Sequence, residues 1–284
     1  MSRFIFINGE YKNHVNANVH VEDRGYQFSD GVYEVSAIWG KSIIDEDLHY
    51  ERLERSLSGL SIELPMPIES LKVISREIIR KNLIIDGIIY LQISRGVAPR
   101  NHVFPKKSQC SVVLTAQAMN WPTKIDDNGI NIITTNDLRW QRRDLKSISL
   151  LPNILAKQEA FILDAYESWL VDERGFITEG ASSNAWIVDH DDVLITRELS
   201  NSILGGVTRH TLIKIARENG MTVLERPFLV DEAKKSKEVF LTSTTSGVKG
   251  VTKIDGEKIG MGKAGKITER LHKLYTTYCI NYGK

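Results

Sequence analysis

The stretch from Trp121-Pro122-Thr123 to Asn128-Gly129 limits the fold more than any other part of the chain. Its proline, glycine and polar turn-formers interrupt two long runs of periodic apolar residues, so it reads as a linker. It divides the 284 residues into pieces of ordinary domain size, 1–121 and 122–284. The first piece opens with a hairpin pattern, Phe4 to Ile7, then Asn8-Gly9, then Tyr11. Val32 to Trp39 and Ile43-Ile44, parted by Gly40-Lys41, read as a second pair of strands. His49 to Leu60 is helical, with Leu53, Leu57 and Leu60 in one stripe and Arg52 at its edge. Pro65 and Pro67 break the chain before a second helix, Glu69 to Asn82. Two β-branched strands, Ile88 to Ser94 and Cys110 to Thr115, then flank the polar loop R-G-V-A-P-R-N-H-V-F-P.

In the second piece, Ile130 to Thr135, Glu167 to Asp172, Phe176 to Thr178, Asn184 to Val188 and Glu238 to Leu241 read as strands. Pro152 to Ala165, Val207 to Asn219 and Lys263 to Asn281 read as helices. Strands and helices mix without strict βαβ alternation. The expected fold class is therefore mixed α/β (α+β) in two domains, not a doubly wound dinucleotide sheet.

Composition narrows the function. Apolar residues make up 42%, enough for a sizeable core, and 37 basic residues nearly balance 36 acidic ones. A net charge of +1 gives no electrostatic reason for a nucleic-acid or membrane partner. Cys110 and Cys279 are too few and too distant for a disulfide framework or a zinc site. The N-terminus lacks the pattern of a signal peptide and no apolar run approaches a membrane span, so the expected location is the cytoplasm.

Four features could carry chemistry. Lys146, in D-L-K-S-I-S-L-L-P, follows Arg139, Arg142 and Arg143 and precedes an apolar run; partial desolvation would free its amine as a nucleophile. L-G-G-V-T puts two glycines before a helix with Val207 and Thr208 in its first turn, a natural seat for an anion. T-S-T-T-S-G, with Ser243 and Thr244, offers hydroxyls and backbone donors after a strand. Arg100-x-His102 sets a guanidinium fork beside an imidazole, a pairing suited to a carboxylate. Neither anion seat matches a P-loop or G-x-G-x-x-G, which favours a single phosphate monoester over a nucleotide. Taken one at a time, each also fits a plain reading: an exposed lysine, a capped helix, a polar turn, a loop arginine.

Three stretches together resemble the fold-type-IV pyridoxal-phosphate transaminases, and among them the D-amino acid transaminases. They are E-D-R-G-Y-Q-F-S-D-G-V-Y-E from Glu22 to Glu34, D-L-K-S around Lys146, and T-E-G-A-S-S-N from Thr178 to Asn184. The resemblance spans essentially the whole chain in family order. It implies a two-domain fold whose C-terminal domain carries Lys146 as the Schiff-base lysine of pyridoxal 5′-phosphate. Glu179 is then the partner of the ring nitrogen. The phosphate ligands map to Arg52, Thr208, Thr244 and Ser243, with Val207 and Ser182 beside the cofactor. Tyr33, Arg100 and His102 map to the grip on the substrate α-carboxylate. In that family the loop arginine and histidine reach in from the other subunit, which implies a homodimer. The implied reaction is a ping-pong transfer from D-alanine to 2-oxoglutarate, giving pyruvate and D-glutamate. Branched-chain L-amino acid and amine transaminases share the cofactor motifs but generally not the carboxylate set. A phosphometabolite-binding homologue without catalysis would not need Lys146 and Glu179 together. The chain departs from the family at Ser29, where glycine is frequent, and at Ala181, where serine is.

Overall fold

The computed structural model describes residues 3–282 and contains two compact units. The first comprises residues 3–121 together with 145–149 and Tyr282; the second comprises 122–144 and 150–281.

The first unit holds β1 (Phe4–Ile7), β2 (Glu10–Asn13), α1 (Arg24–Phe28), β3 (Gly31–Trp39), β4 (Ser42–Ile43), α2 (Glu46–Gly59), α3 (Ile68–Lys81), β5 (Gly87–Ser94) and β6 (Ser111–Ala118). Its six strands form one sheet in the order β2-β1-β6-β5-β3-β4, with every neighbouring pair antiparallel. Alternation along β3 decides what each face does. Val32 and Ile38 enter a core with Leu53 and Leu57 of α2, Leu71 and Ile78 of α3, and Ile89, Leu91 and Leu114 of the sheet. Each such side chain stabilises the unit by roughly 1.5–3 kcal/mol. Glu34 and Ser36 fall in the same register and are buried, whereas Tyr33 and Val35, one residue out of step, are half-buried. α2 likewise buries His49, Arg52 and Ser56 beside its leucines, so its inner face is polar as well as apolar.

The short α1 was not visible as a periodic segment, because five residues make little more than one turn. Asp23 caps it, its side chain accepting the Gly25 N–H at 2.8 Å. Ser29 ends it in the left-handed region, at φ 57°. That conformation costs a residue with a Cβ about 1–2 kcal/mol, which accounts for the glycine frequent at this position in the family.

The expectation placed Lys146 in the C-terminal domain, whereas residues 145–149 pack within the first unit. The reason is backbone pairing. Tyr33 N–H donates to the Lys146 carbonyl at 3.0 Å, and Ile148 N–H donates to the Gly31 carbonyl at 3.0 Å. Val32 and Ser147 form an antiparallel bridge. Leu145 is buried, and a Cβ on Gly59 would lie 2.5 Å from its Cδ2, so α2 admits this leucine only because its last residue has no side chain. Five residues leave the sequence-adjacent unit to extend the edge of another, which no local pattern announces.

The second unit holds β7 (Ile130–Asn136), α4 (Leu151–Ile162), β8 (Glu167–Val171), β9 (Ile177–Gly180), β10 (Asn184–Val188), β11 (Leu194–Thr196), α5 (Val207–Glu218), β12 (Val223–Glu225), α6 (Val230–Lys235), β13 (Glu238–Ser243), β14 (Gly247–Ile254), β15 (Glu257–Lys258) and α7 (Lys266–Asn281). The sheet runs β12-β11-β10-β13-β14-β7-β8-β9, with β15 on β14. It is mixed: β11–β12, β14–β7 and β7–β8 are parallel and the other pairs antiparallel. Ile132, Trp169, Ile177, Ile187, Val239 and Val251 form its core with Phe228. β11, β12, α6, β14 and β15 were not expected; β14 follows directly on the T-S-T-T-S turn, whose polarity masks where the strand begins. Among the described residues no helix is long and apolar enough to cross a membrane.

Candidate active site

In the first unit the pairing of residues 145–149 with β3 brings Lys146 and Tyr33 together. The Lys146 Nζ lies 4.2 Å from the centroid of the Tyr33 ring. No carboxylate among the described residues pairs with this amine. Its backbone is held from the other side too: Lys146 N–H donates to Ser56 Oγ at 3.1 Å, and that hydroxyl donates to the Arg52 carbonyl at 2.8 Å. Ser56, fully buried on α2, therefore links Lys146 to Arg52. The sequence reading missed it; the available signal was a serine three residues along the leucine stripe.

Arg52 is buried and bidentate on Glu34, Nε to Oε1 at 2.8 Å and Nη2 to Oε2 at 2.7 Å. His49 Nδ1 lies 2.8 Å from the same Oε2. Burial alone would raise the Glu34 pKa, but Arg52 and His49 outweigh it and hold the carboxyl at about 2, down from 4.5. Its stabilising contribution is thus fully present above pH 4.5 and is lost as pH falls toward 2. Glu34→Gln is expected to lower the unfolding free energy at neutral pH by about 3 kcal/mol, since it also leaves a buried guanidinium without its countercharge. Urea melts at pH 7 and pH 3 test this: the gap between wild type and variant should narrow at the lower pH, and an equal gap at both would exclude the coupling.

Arg100 and His102 lie on the exposed loop between β5 and β6, both against the ring of Phe28. The Arg100 Cζ is 4.6 Å from the Phe28 centroid, and the His102 ring centroid is 5.4 Å from it. The loop is tied down by Arg95, bidentate on Asp30, and by Arg24, which reaches both Asp30 and the Asn101 carbonyl.

In the second unit Glu179 is buried at the end of β9. Its oxygens accept from Arg139 Nη1 at 2.5 Å, Asn184 Nδ2 at 3.1 Å and Leu204 N–H at 3.1–3.2 Å. Burial pushes the Glu179 carboxyl above the ordinary range, with Arg139 and the Leu204 N–H opposing. Burial weighs against charge on Arg139 as well, yet Glu179 and Asp137 outweigh it and hold the guanidinium protonated. Asp137 also accepts from Thr178 Oγ1 at 2.7 Å. The sequence marked Arg139 only as one of three basic residues upstream of Lys146 and Asn184 only as the end of T-E-G-A-S-S-N, and it gave Asp137 no role.

Asn184 joins Glu179 to the proposed anion seat. Its Nδ2 also donates to the Leu204 carbonyl at 3.0 Å, and its Oδ1 lies 2.0 Å from where a Cβ on Gly206 would stand. A side chain at Gly206 would therefore push the Asn184 amide out of its place. Gly206 is the N-cap of α5, and no side chain caps that helix. The N-cap glycine therefore offers no side-chain acceptor to the first N–H groups of α5. Val207 and Thr208 are buried in this first turn. On the turn between β13 and β14, Ser243 Oγ accepts the Ser246 N–H at 3.1 Å. No hydrogen bond engages the Thr244 hydroxyl among the described residues. The Ser182 hydroxyl donates to Glu167 at 2.7 Å and so holds the turn after β9.

The structure thus gathers the expected residues into separate groups: Lys146 with Tyr33 and, through Ser56, Arg52; Arg100 with His102; and Glu179 with the α5 N-terminus. The amino-transferase class IV family model matches residues 31–254. The D-alanine aminotransferase of Staphylococcus haemolyticus is 40% identical over 277 residues, covering 96% of this chain and 97% of that one. The D-alanine aminotransferase of Listeria monocytogenes serotype 4b is 39% identical, with coverage of 95% and 94%. Among solved structures, a branched-chain amino acid aminotransferase with pyridoxamine 5′-phosphate, from T.th., superposes with a TM-score of 0.93 at 26% identity, covering 99% and 95%. The Escherichia coli branched-chain enzyme gives 0.90 at 25%, covering 100% and 98%. On the family match over residues 31–254 and the 40% identity across nearly the whole chain, the chain belongs to the class IV aminotransferases.

Proposed function

We propose that the chain is a D-amino acid transaminase that moves the amino group of D-alanine to 2-oxoglutarate, giving pyruvate and D-glutamate. The observation that carries this reading is the presence of Arg100 and His102 on one anchored loop, both packed against the Phe28 ring. The 38–40% identity to D-alanine aminotransferases, against 25–26% to the branched-chain structures of similar shape, supports it.

Pyridoxal 5′-phosphate, the cofactor of this family, supplies an electron sink for the charge that develops at the substrate α-carbon. The residues present fit it. Glu179 has three donors for roughly four lone-pair positions, and its raised pKa marks a carboxyl that a further cationic N–H would favour in ionised form. On the second unit the start of α5, with Thr208, suits a phosphate, and Ser243 and Thr244 would add their hydroxyls; on the first unit the buried guanidinium of Arg52 is the proposed further phosphate ligand. Ser182 would act through the turn it holds. Lys146 would hold the cofactor through its amine and would move the proton at the substrate α-carbon. Arg100, His102 and Tyr33 hold the α-carboxylate, and this orients one enantiomer's α-hydrogen toward Lys146.

A homodimer is part of this reading. On α4 the small Ala156 and Ala160 face inward, while Ile154, Leu155, Phe161 and Ile162 are 59–75% exposed, an inverted pattern that a second copy would cover. A monomeric mass in sedimentation would remove this part. Cys110 and Cys279 stand as thiols and not as a disulfide, in accord with a cytoplasmic enzyme.

A comparison of D-alanine, L-alanine and L-valine as donors to 2-oxoglutarate tests the specificity. D-alanine should be the good donor, and Arg100→Ala should lower its kcat/KM on the order of 30-fold or more, mainly through KM. Preference for L-valine would favour the branched-chain reading suggested by the structural neighbours.

A further inference from the structure

We infer that Phe28 is the positioning residue of the carboxylate grip, its ring serving as the platform on which Arg100 and His102 are held in register. The inference rests on the reading of those two residues as the α-carboxylate pair. Both are exposed, and exposed long side chains on a loop ordinarily sample many rotamers, which weakens any ligand they must close on. Here one ring meets three partners: the Arg100 Cζ at 4.6 Å, the Arg24 Cζ at 4.8 Å and the His102 ring at 5.4 Å.

The supports of that ring are rigid. Phe28 ends α1, one turn after the buried Arg24. Arg24 donates to Asp30 at 2.8 Å and to the carbonyl of Asn101, the residue between Arg100 and His102, at 2.6 Å. The near end of the loop is fixed by Arg24 N–H to the Gly96 carbonyl at 2.9 Å and the far end by Phe104, whose ring centre lies 3.6 Å from the Arg95 Cζ. Asp30 pairs with both Arg24 and Arg95. Arg100, by contrast, has no carboxylate partner among the described residues. A guanidinium laid on a ring face keeps its N–H edge open. The arrangement therefore fixes the direction of Arg100 while leaving its charge and donors for a carboxylate.

Phe28→Leu tests this, with Phe28→Tyr as the conservative rescue. Phe28→Leu should raise KM for both D-alanine and 2-oxoglutarate on the order of 10-fold, with kcat and the cofactor absorption spectrum near those of wild type. Phe28→Tyr should restore both KM values to within about 2-fold. In an Arg100→Ala/His102→Ala background, Phe28→Leu should have no further effect. An unchanged KM in Phe28→Leu, or a full rise in that background, overturns the inference. Should Phe28→Leu not fold, pentafluorophenylalanine at position 28 keeps the ring's shape and removes its negative face; KM must still rise, and an unchanged value overturns the inference. If Arg100→Ala raises KM but Phe28→Leu does not, only the Phe28 role fails. If Arg100→Ala leaves KM unchanged, the carboxylate reading fails and this inference with it.

Discussion

Lys146→Ala is expected to lower kcat for D-alanine transamination on the order of 10³–10⁴-fold, because in the proposed reading one amine would both hold the cofactor and move the α-proton. The structure prepares that amine in three ways. Its backbone is fixed by the Ser56 hydroxyl and by β3. Its ammonium lies on the Tyr33 ring, which limits its swing. No acidic group among the described residues holds it in an ion pair that catalysis would have to break. Since the side chain is only half-buried, its loss should change the unfolding free energy by less than about 1 kcal/mol. A fall in rate at nearly constant stability separates a chemical role from a structural one. Borohydride reduction of wild type, followed by peptide mapping, should place the pyridoxyl mass on Lys146. That mass on another lysine, or an alanine variant within about 10-fold of wild type, would sink the assignment.

Much of the fold could be read from residue order alone, and so could the candidate residues of the proposed site, though not the polar groups that hold them. Helical spacing and β-branched runs mark α2, α3, α5, α7 and the central strands because each buries apolar side chains at its own period, even where polar ones lie among them. The uncapped start of α5 is legible because glycine pairs before a helix have few other uses. The polar supports are different. Arg139 meets Glu179 across 40 positions, and Glu34 meets Arg52 across 18. Polarity patterns class such residues as surface; only strand register brings Glu34 inside, and only the β9–β10 turn brings Asn184 to Glu179. The placement of Lys146 followed the same rule. Its neighbours in sequence lie in one unit, but its backbone hydrogen bonds lie in the other.

The second large effect is expected at Glu179, where charge matters more than shape. Glu179→Gln keeps the side-chain volume and an acceptor for the Leu204 N–H, but it removes the negative charge. A lost charge-assisted hydrogen bond is worth roughly 1.5–3 kcal/mol, so α-proton removal should slow on the order of 10–100-fold. The fold should suffer less than this buried position suggests. Arg139 retains Asp137 at 2.8 Å, and the variant no longer has to desolvate a carboxylate. The new amide does bring a donor against Asn184 Nδ2, so Asn184 must turn and weaken its hold on the Leu204 carbonyl. A modest loss of phosphate affinity should follow, because that loop leads into α5. Single-turnover rates with D-alanine, set beside urea melts, decide the matter. Slow chemistry in a stable protein supports the electronic role. Unchanged single-turnover rates would show that Glu179 is not the partner of the ring nitrogen, and a collapse in stability of several kcal/mol would make it a structural carboxylate that holds Arg139.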